Sequence, residues 1–317
     1  MRAVRIEKWG GPEVLRVVDD APTPQPGEGE VLLEVTRAGI NFADTHQREN
    51  SYLAKFELPF TPGGEVAGRL DGRRVVALMP SGGYAEYAVA SADRVFEVPD
   101  GLGDGAALAL VLQGLTAWHL YRSAGRVAEG ESVVIHAAAG GVGSLAVQLG
   151  EAMGAGRVIA TASTPEKREL ALELGADAAL DPGDTDLTAA LLEANDGKCV
   201  DVVFEMAGGR IFEQSLEALA PFGRMVTYGI ASREQNELRT GRLMRKSWTV
   251  AGFWFMHCLR EPEAMMRRPL RELFDRAVRG ELRAVEGGTY PLSEVRRAHE
   301  DIAGRRTSGK LLLDPSA

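Results

Sequence analysis

Residues 136–143, of sequence HAAAGGVG, carry the strongest chemical pattern in the chain. They follow the apolar run 133–135 and precede a segment of helical character. A strand that enters a helix through a glycine turn leaves backbone N–H groups free at the positive helix end, which suits a pyrophosphate. Gly140 would let the backbone approach the phosphates, and Gly143 would let helix and strand pack closely. Ala138 takes the first glycine position of GxGxxG, but the flanking strand and helix favour a dinucleotide site over a turn without a ligand.

The residues about twenty positions beyond the turn distinguish NADP from NAD. NAD sites usually place an Asp or Glu there, where it holds the ribose 2′-hydroxyl. This chain has Ser163 and Thr164, followed shortly by Lys167 and Arg168. A hydroxyl and a cation suit a 2′-phosphate, which an acid would repel, so the sequence favours NADPH. Glu166 keeps NAD as an alternative, and Lys167 is alternatively an ordinary solvated helix residue.

The elements that must position this turn belong to two kinds of domain. With 317 residues, 45% of them hydrophobic and 26% charged, the chain is long enough for two soluble globular domains. Short apolar runs punctuated by Gly and Pro in the first hundred residues predict a barrel-like antiparallel domain. From about residue 105, alternating strand and helix patterns predict a doubly wound parallel sheet of the Rossmann type, hence an α/β protein.

The final apolar run, residues 310–313, is typical of a strand and has no partner inside the parallel sheet. We expect it to return to the first domain. The predicted bounds are therefore 1–112 and 253–317 for a discontinuous β-barrel domain, and 113–252 for the Rossmann domain.

Charge and cysteine content exclude several classes of protein. A net charge of −9 argues against a nucleic-acid partner, which would need a concentrated basic surface. The two cysteines cannot build a disulfide framework, and we interpret both as core residues. The first residues lack a long apolar region, so we expect no secretory leader, and no run of eighteen apolar residues occurs in the sequence. We expect a cytoplasmic protein with no membrane partner.

Several segments together resemble the quinone oxidoreductase (zeta-crystallin-like) branch of the medium-chain dehydrogenase/reductase superfamily. They are the glycine turn and residues 38–44, 62–68 and 113–117, and the similarity continues through 290–292 to 309–311. The resemblance implies a GroES-like catalytic domain beside the Rossmann domain, and a homodimer. Zinc-dependent relatives place a cysteine at Asn41 and a histidine at Gly64, and neither an amide nor a glycine can replace those ligands. We therefore expect no metal site.

The resemblance also implies the active-site residues. Asn41, His46 and Tyr52 fall in segments that face the nicotinamide and the substrate. The amide of Asn41 would donate to the developing enolate oxygen, although it could instead cap a loop. The proton would come from water, His46 or Tyr52. The implied cofactor-binding residues are Asn41, Thr116, Ala139, Gly140, Gly141, Val142, Ser163, Lys167, Tyr228, Gly229, Phe253 and Lys310.

These features predict a zinc-independent reductase that transfers hydride from NADPH to a quinone or a small α,β-unsaturated carbonyl compound. One alternative is an enoyl-thioester or enone reductase, for which the arginine-rich stretch 267–279 could form a basic entrance. That stretch is otherwise the solvated face of an amphipathic helix. A second alternative is a non-catalytic, crystallin-like NADPH-binding protein. The aromatic residues 253–255 could line the substrate pocket or a dimer interface.

Overall fold

The computed structural model describes residues 1–51 and 53–317, which divide into two compact units. The first unit consists of Met1–Gln113 and Cys258–Ala317, and the second of Gly114–His257. Tyr52, a predicted site residue, lies outside the described residues. None of the helices in the described part of the chain combines the length and apolar character needed to span a bilayer.

The described residues form fifteen strands. They are β1 (Ala3–Arg5), β2 (Arg16–Val18), β3 (Glu30–Ile40), β4 (Glu65–Leu70), β5 (Arg73–Leu78), β6 (Tyr87–Ser91), β7 (Val95–Glu97), β8 (Ser132–Ile135), β9 (Arg157–Thr161), β10 (Ala178–Leu180), β11 (Val200–Glu205), β12 (Leu219–Thr227), β13 (Thr249–Gly252), β14 (Glu286–Pro291) and β15 (Lys310–Asp314).

The same residues form ten α-helices. They are α1 (Phe42–Gln47), α2 (Asp104–Ala109), α3 (Leu115–His119), α4 (Gly141–Leu149), α5 (Pro165–Glu173), α6 (Leu187–Ala194), α7 (Gly209–Ala218), α8 (Thr240–Lys246), α9 (Arg268–Val278) and α10 (Val295–Ala303). Single turns of 3₁₀ or π-helix flank several of them, among them the π-helical turns Leu110–Gly114 and Leu120–Ala124.

The main sheet of the first unit has the strand order β14–β15–β3–β4–β5–β7, and β6 also pairs with β3. β15 runs antiparallel to β3, with Leu312 opposite Gly39, so the last strand of the chain completes this sheet. β4 is also antiparallel to β3. Because neighbouring antiparallel strands begin where their partner ends, the end of β3 lies beside the first residues of β4 and β15.

The six-stranded sheet of the second unit has the order β10–β9–β8–β11–β12–β13, and all its strands are parallel. Val133, Val134 and Ile135 of the central strand β8 are fully buried, as expected of a strand covered on both faces. The carboxyl ends of all six strands lie at one edge of the sheet. The order reverses between β8 and β11, where such folds bind their ligands. The predicted doubly wound parallel sheet is confirmed.

The structure also describes the arginine-rich stretch and the two cysteines. The arginine-rich stretch forms the amphipathic helix α9, which buries Leu270, Leu273 and Phe274 and leaves most of its arginines at the surface. The interpretation of both cysteines as core residues is wrong for Cys199. It is exposed because it lies in the connection before β11, whereas Cys258 is buried.

Candidate functional site

The glycine turn joins β8 to α4 in the second unit. Gly140 is the N-cap residue of α4, with extended backbone angles. The left-handed position of the turn is Ala137, with φ of 52°, so Ala138 can replace the glycine of the strict motif without backbone strain. A Cβ on Gly143 would collide with the carbonyl oxygen of Ala137 and lie 2.7 Å from Cα of Ala138. The close helix–strand approach of a dinucleotide turn is therefore present, and the first N–H groups of α4 have no acceptor within the helix.

His136, at the end of β8, supports the turn from inside. Its Nδ1 lies 2.9 Å from the hydroxyl of Thr161, and its Nε2 lies 2.8 Å from that of Ser215. Burial lowers the pKa of His136 to about 4, so the ring is neutral. The histidine joins β8 to its neighbours β9 and α7, and its role is structural.

The residues predicted to hold the 2′-phosphate follow β9. Ser163 is exposed, and Lys167 lies half-buried in the first turn of α5. Thr164 caps this helix by accepting a 3.3 Å hydrogen bond from the N–H of Lys167. The carboxyl of Glu166, the residue that kept NAD as an alternative, accepts hydrogen bonds from its own N–H and from the hydroxyl of Thr164. These hydrogen bonds hold the pKa of the carboxyl below its ordinary value.

The other predicted cofactor residues of the second unit lie on α3 or near the ends of β12 and β13. Thr116 is buried on α3, and Tyr228 and Gly229 directly follow β12. Phe253 follows β13, donates its N–H to the carbonyl oxygen of Thr227 at 2.9 Å and stacks on His119 with ring centroids 5.7 Å apart. Because the strands are parallel, the residues that follow β12 and β13 share the sheet edge that carries the glycine turn.

The sequence interpretation missed Glu205, which ends β11 at this edge. Its Oε1 accepts 2.7 Å hydrogen bonds from the N–H groups of Ala207 and Gly208. Its side chain is buried, and desolvation raises the pKa of the carboxyl to about 7. The available signal was an acid that directly follows the apolar residues 202–204.

In the first unit, Asn41 follows β3 and is the N-cap residue of α1. Its side-chain Nδ2 donates to Oε1 of Glu65 at 2.6 Å. Its Oδ1 accepts from Nε2 of Gln113 at 3.2 Å and from Nζ of Lys310 at 3.1 Å. All four side chains are buried, and Lys310 and Glu65 form an ion pair. The amide is thus held by three polar partners, whereas sequence reasoning had considered it alone.

A second buried cluster supports the same helix. Asp44 accepts the backbone N–H of Asn41 at 2.8 Å and the hydroxyl of Tyr84 at 2.7 Å. The Tyr84 hydroxyl lies 3.3 Å from Nε2 of His299. Burial raises the pKa of Asp44 to about 6 and lowers that of His299 to about 3, so the histidine is neutral. This cluster fixes the backbone from which the Asn41 amide projects.

His46, a predicted proton donor, lies buried on the last turn of α1. Its Nδ1 is 3.4 Å from the hydroxyl of Ser51, and its ring makes an edge contact with Phe42 at 5.6 Å. The structure therefore places His46 one helical turn beyond Asn41, on the same short helix.

The polar groups described above are mainly hydrogen-bond donors and acceptors. Among residues 1–51 and 53–317, no group of three or more His, Cys, Asp or Glu side chains is placed to hold a metal ion. The second unit contributes the backbone N–H groups at the start of α4, and the first unit contributes the buried side-chain amide of Asn41.

Known proteins share this organisation. The family described as "Alcohol dehydrogenase GroES-like domain" matches residues 27–100, and the one described as "Zinc-binding dehydrogenase" matches residues 141–271. The quinone oxidoreductase of Pseudomonas aeruginosa is 34% identical, over 99% of this chain and 99% of its own. This chain belongs to the quinone oxidoreductase branch of the medium-chain dehydrogenase/reductase family. The predicted family is confirmed, and the protein is an enzyme of that superfamily.

Solved structures confirm the fold of this quinone oxidoreductase family member. The quinone oxidoreductase of Thermus thermophilus, which was also solved with NADPH, is 39% identical with a TM-score of 0.87. The comparison covers 99% of this chain and 100% of that chain. The Escherichia coli quinone oxidoreductase complexed with NADPH is 32% identical with a TM-score of 0.92, over 99% and 100% of the two chains. The predicted combination of a GroES-like and a Rossmann domain is thereby confirmed.

Proposed function

We propose that this protein is an NADPH-dependent, zinc-independent reductase that transfers hydride to quinones or small α,β-unsaturated carbonyl compounds. The observation that carries the proposal is the fixed amide of Asn41, which stands where zinc-dependent relatives place a cysteine. The relatives named quinone oxidoreductase, and the two of them solved with NADPH, support the same activity.

The role of Asn41 follows from its hydrogen-bond capacity. A side-chain NH₂ group has two hydrogens, and Glu65 accepts one of them. The second N–H is left to donate to an acceptor oxygen as negative charge develops on it. A donor that is already oriented needs no reorganisation during the reaction, which is the basis of oxyanion-type stabilisation.

The residues of the second unit fit a dinucleotide phosphate. Ala139, Gly140, Gly141 and Val142 would hold the pyrophosphate at the start of α4, where the N–H groups of Gly141 and Val142 have no acceptor within the helix. Ser163 and Lys167 would hold the 2′-phosphate. Thr116, Tyr228, Gly229 and Phe253 would line the nicotinamide side. Bound NADPH would supply the hydride, and the acceptor would then take one proton from water or an acidic side chain.

Three further assignments belong to this proposal. The first unit is the catalytic domain and the second the dinucleotide-binding domain, with the protein acting as a homodimer. The proton donor is water, His46 or Tyr52. Solvent-isotope effects on the variants His46→Gln and Tyr52→Phe would distinguish the three, because only loss of the true donor abolishes the proton-linked isotope effect.

The first test is oxidation of NADPH, followed by its absorbance, against a panel of quinones and α,β-unsaturated carbonyl compounds. NADH is run alongside, and each assay is repeated after treatment with a chelator. Quinone- or enone-dependent oxidation that prefers NADPH and survives chelation is the expected result. Turnover lost on chelation would overturn the zinc-independent mechanism, and tight NADPH binding without turnover would favour the non-catalytic alternative.

The enoyl-thioester alternative receives little support from the arginine-rich stretch. Arg276 and Arg279 both pair with Glu281, and Arg267 pairs with Glu263. Glu263 and Glu281 thereby lower the positive charge that the stretch offers to the phosphates of a CoA or phosphopantetheine tail. Crotonyl-CoA in the acceptor panel tests this alternative directly, since turnover confined to it would reverse the choice.

A further inference from the structure

Lys310 and Glu65 form an ion pair in the interior of the first unit. Both side chains are fully buried, and Nζ of Lys310 contacts Oε1 of Glu65. Taking two charges out of water is costly, and an apolar pair of similar size often serves stability as well or better. Stability alone therefore does not explain why this ion pair is buried here.

Both partners of the pair also hold the amide of Asn41. Lys310 donates to Oδ1 of Asn41 at 3.1 Å, and Glu65 accepts from Nδ2 at 2.6 Å. Turning the amide by 180° would put its NH₂ group against the ammonium and its oxygen against the carboxylate. One orientation is thus strongly preferred over the other. An uncharged pair would discriminate far less between them, because charge-assisted hydrogen bonds are roughly twice as strong as neutral ones.

The pairing of three strands and a glycine on the middle strand allow these side chains to come together. Lys310 opens β15, Glu65 opens β4, and Asn41 follows β3, the strand between them. A Cβ on Gly39 of β3 would lie 2.6 Å from Oε1 of Glu65 and 2.7 Å from Cε of Lys310. Any other residue at Gly39 would displace the ion pair from the position in which it contacts Asn41.

We propose that the Glu65–Lys310 ion pair is a positioning device for Asn41, which aims the second amide N–H at the acceptor oxygen. Lys310 accordingly acts through Asn41 and not as a direct cofactor ligand, the role that the family resemblance implied for it. This inference rests on the proposed function, since it assumes that Asn41 donates to the acceptor.

The test replaces the pair with Lys310→Met/Glu65→Met, which leaves no unpaired charge in the interior. Glu65→Gln is the second variant, because it preserves shape and an acceptor oxygen if the double variant does not fold. The control is Arg74→Met/Asp104→Asn, which removes an ion pair of the same unit whose contact is 2.6 Å and which does not bond to Asn41.

The first readout needs no turnover. The side-chain NH₂ signals of Asn41 in the ¹H–¹⁵N spectrum, identified by their loss in Asn41→Asp, should be widely separated in the wild type because one hydrogen is bonded to a carboxylate. They should approach free-amide values in the double variant, shift less in Glu65→Gln and stay unchanged in the control. An unchanged Asn41 signal in the double variant would overturn the inference.

The second readout is kinetic. The single-turnover rate of NADPH oxidation should fall roughly 10- to 100-fold in the double variant, in line with the cost of misplacing a catalytic group. The dissociation constant of NADPH should not change. A weakened NADPH affinity with an unchanged rate would make Lys310 a cofactor ligand and overturn the inference. If even the wild type turns over no acceptor, the proposed function fails, while the spectra still decide whether the pair positions Asn41.

Discussion

The carboxylate of Glu65 accepts a 2.6 Å hydrogen bond from the side-chain amide of Asn41, and both side chains are buried. A carboxylate in the interior satisfies one hydrogen of the NH₂ group and leaves the other for a ligand. This relationship turns a residue that could simply cap helix α1 into an oriented donor.

Replacing Asn41 with alanine should lower the rate of hydride transfer by roughly 10²- to 10³-fold, the usual cost of losing one oxyanion-type donor. The dissociation constant of NADPH should stay nearly unchanged. Stopped-flow single turnovers measure the rate, and fluorescence titration measures the affinity. Gln25→Ala, which removes an exposed amide of the same unit, is the control and should change neither. A wild-type rate in Asn41→Ala would remove the amide from the mechanism.

Gly143→Ala should destabilise the second unit and weaken NADPH binding together. The added Cβ would lie 2.7 Å from Cα of Ala138, which is backbone and cannot move aside cheaply. Overpacking of this kind costs about 1–3 kcal/mol. The control is Gly241→Ala in helix α8, where no atom lies within 4 Å of the new Cβ. It should stabilise by roughly 0.5–1 kcal/mol. Equal melting temperatures for the two variants would contradict the packing argument.

Lys167→Gln should raise the dissociation constant of NADPH about tenfold or more, as expected for loss of a charge-assisted bond worth about 1.5–3 kcal/mol. The affinity for NADH, which has no 2′-phosphate, should not change. Lys198→Gln removes the same charge from the amino-terminal side of β11, at the opposite edge of the parallel sheet, and should affect neither cofactor. Equal loss of affinity for both cofactors in Lys167→Gln would show that the lysine does not recognise the phosphate.

The strands of the second unit could be predicted because a parallel strand buried on both faces contains an apolar run, as in residues 133–135 and 202–204. The edge strands β10 and β13 were not predicted. β10 reads Ala-Ala-Leu and β13 reads Thr-Val-Ala-Gly, so neither contains the consecutive Val or Ile residues by which the central strands were identified.

The parts of the candidate site that lie close together in the sequence could be predicted, and the parts that are far apart in the sequence could not. The glycine turn is a contiguous motif, and its strand and helix lie directly beside it in the sequence. The partners of Asn41 are distant: Glu65 is 24 residues away and Lys310 is 269 residues away. Only the pairing of β3 with β4 and β15 brings them together. The remaining signal was a lysine directly before the apolar residues 311–313, which a single sequence does not connect to Asn41.

The buried acid Glu205 should make the stability of the protein depend on pH. Burial raises the pKa of its carboxyl from 4.5 to about 7 in the folded state. Below pH 4.5 the group is protonated in both folded and unfolded chains. Between 4.5 and about 7 the unfolded chain loses the proton while the folded chain keeps it, so folding becomes less favourable as the pH rises, and the loss levels off above pH 7. At about 1.4 kcal/mol per pH unit, the total loss is about 3 kcal/mol.

Glu205→Gln abolishes this titration and keeps an oxygen for the N–H groups of Ala207 and Gly208. The free energies of unfolding of the variant and the wild type are measured by urea denaturation at each pH. The difference, variant minus wild type, should increase by about 3 kcal/mol between pH 4.5 and pH 8. Glu193→Gln, which neutralises an exposed glutamate of the same unit, should show no such trend. A constant difference between Glu205→Gln and the wild type across this range would mean that Glu205 is already ionised in the folded protein at low pH. Its second carboxylate oxygen would then need a donor that the described residues do not provide.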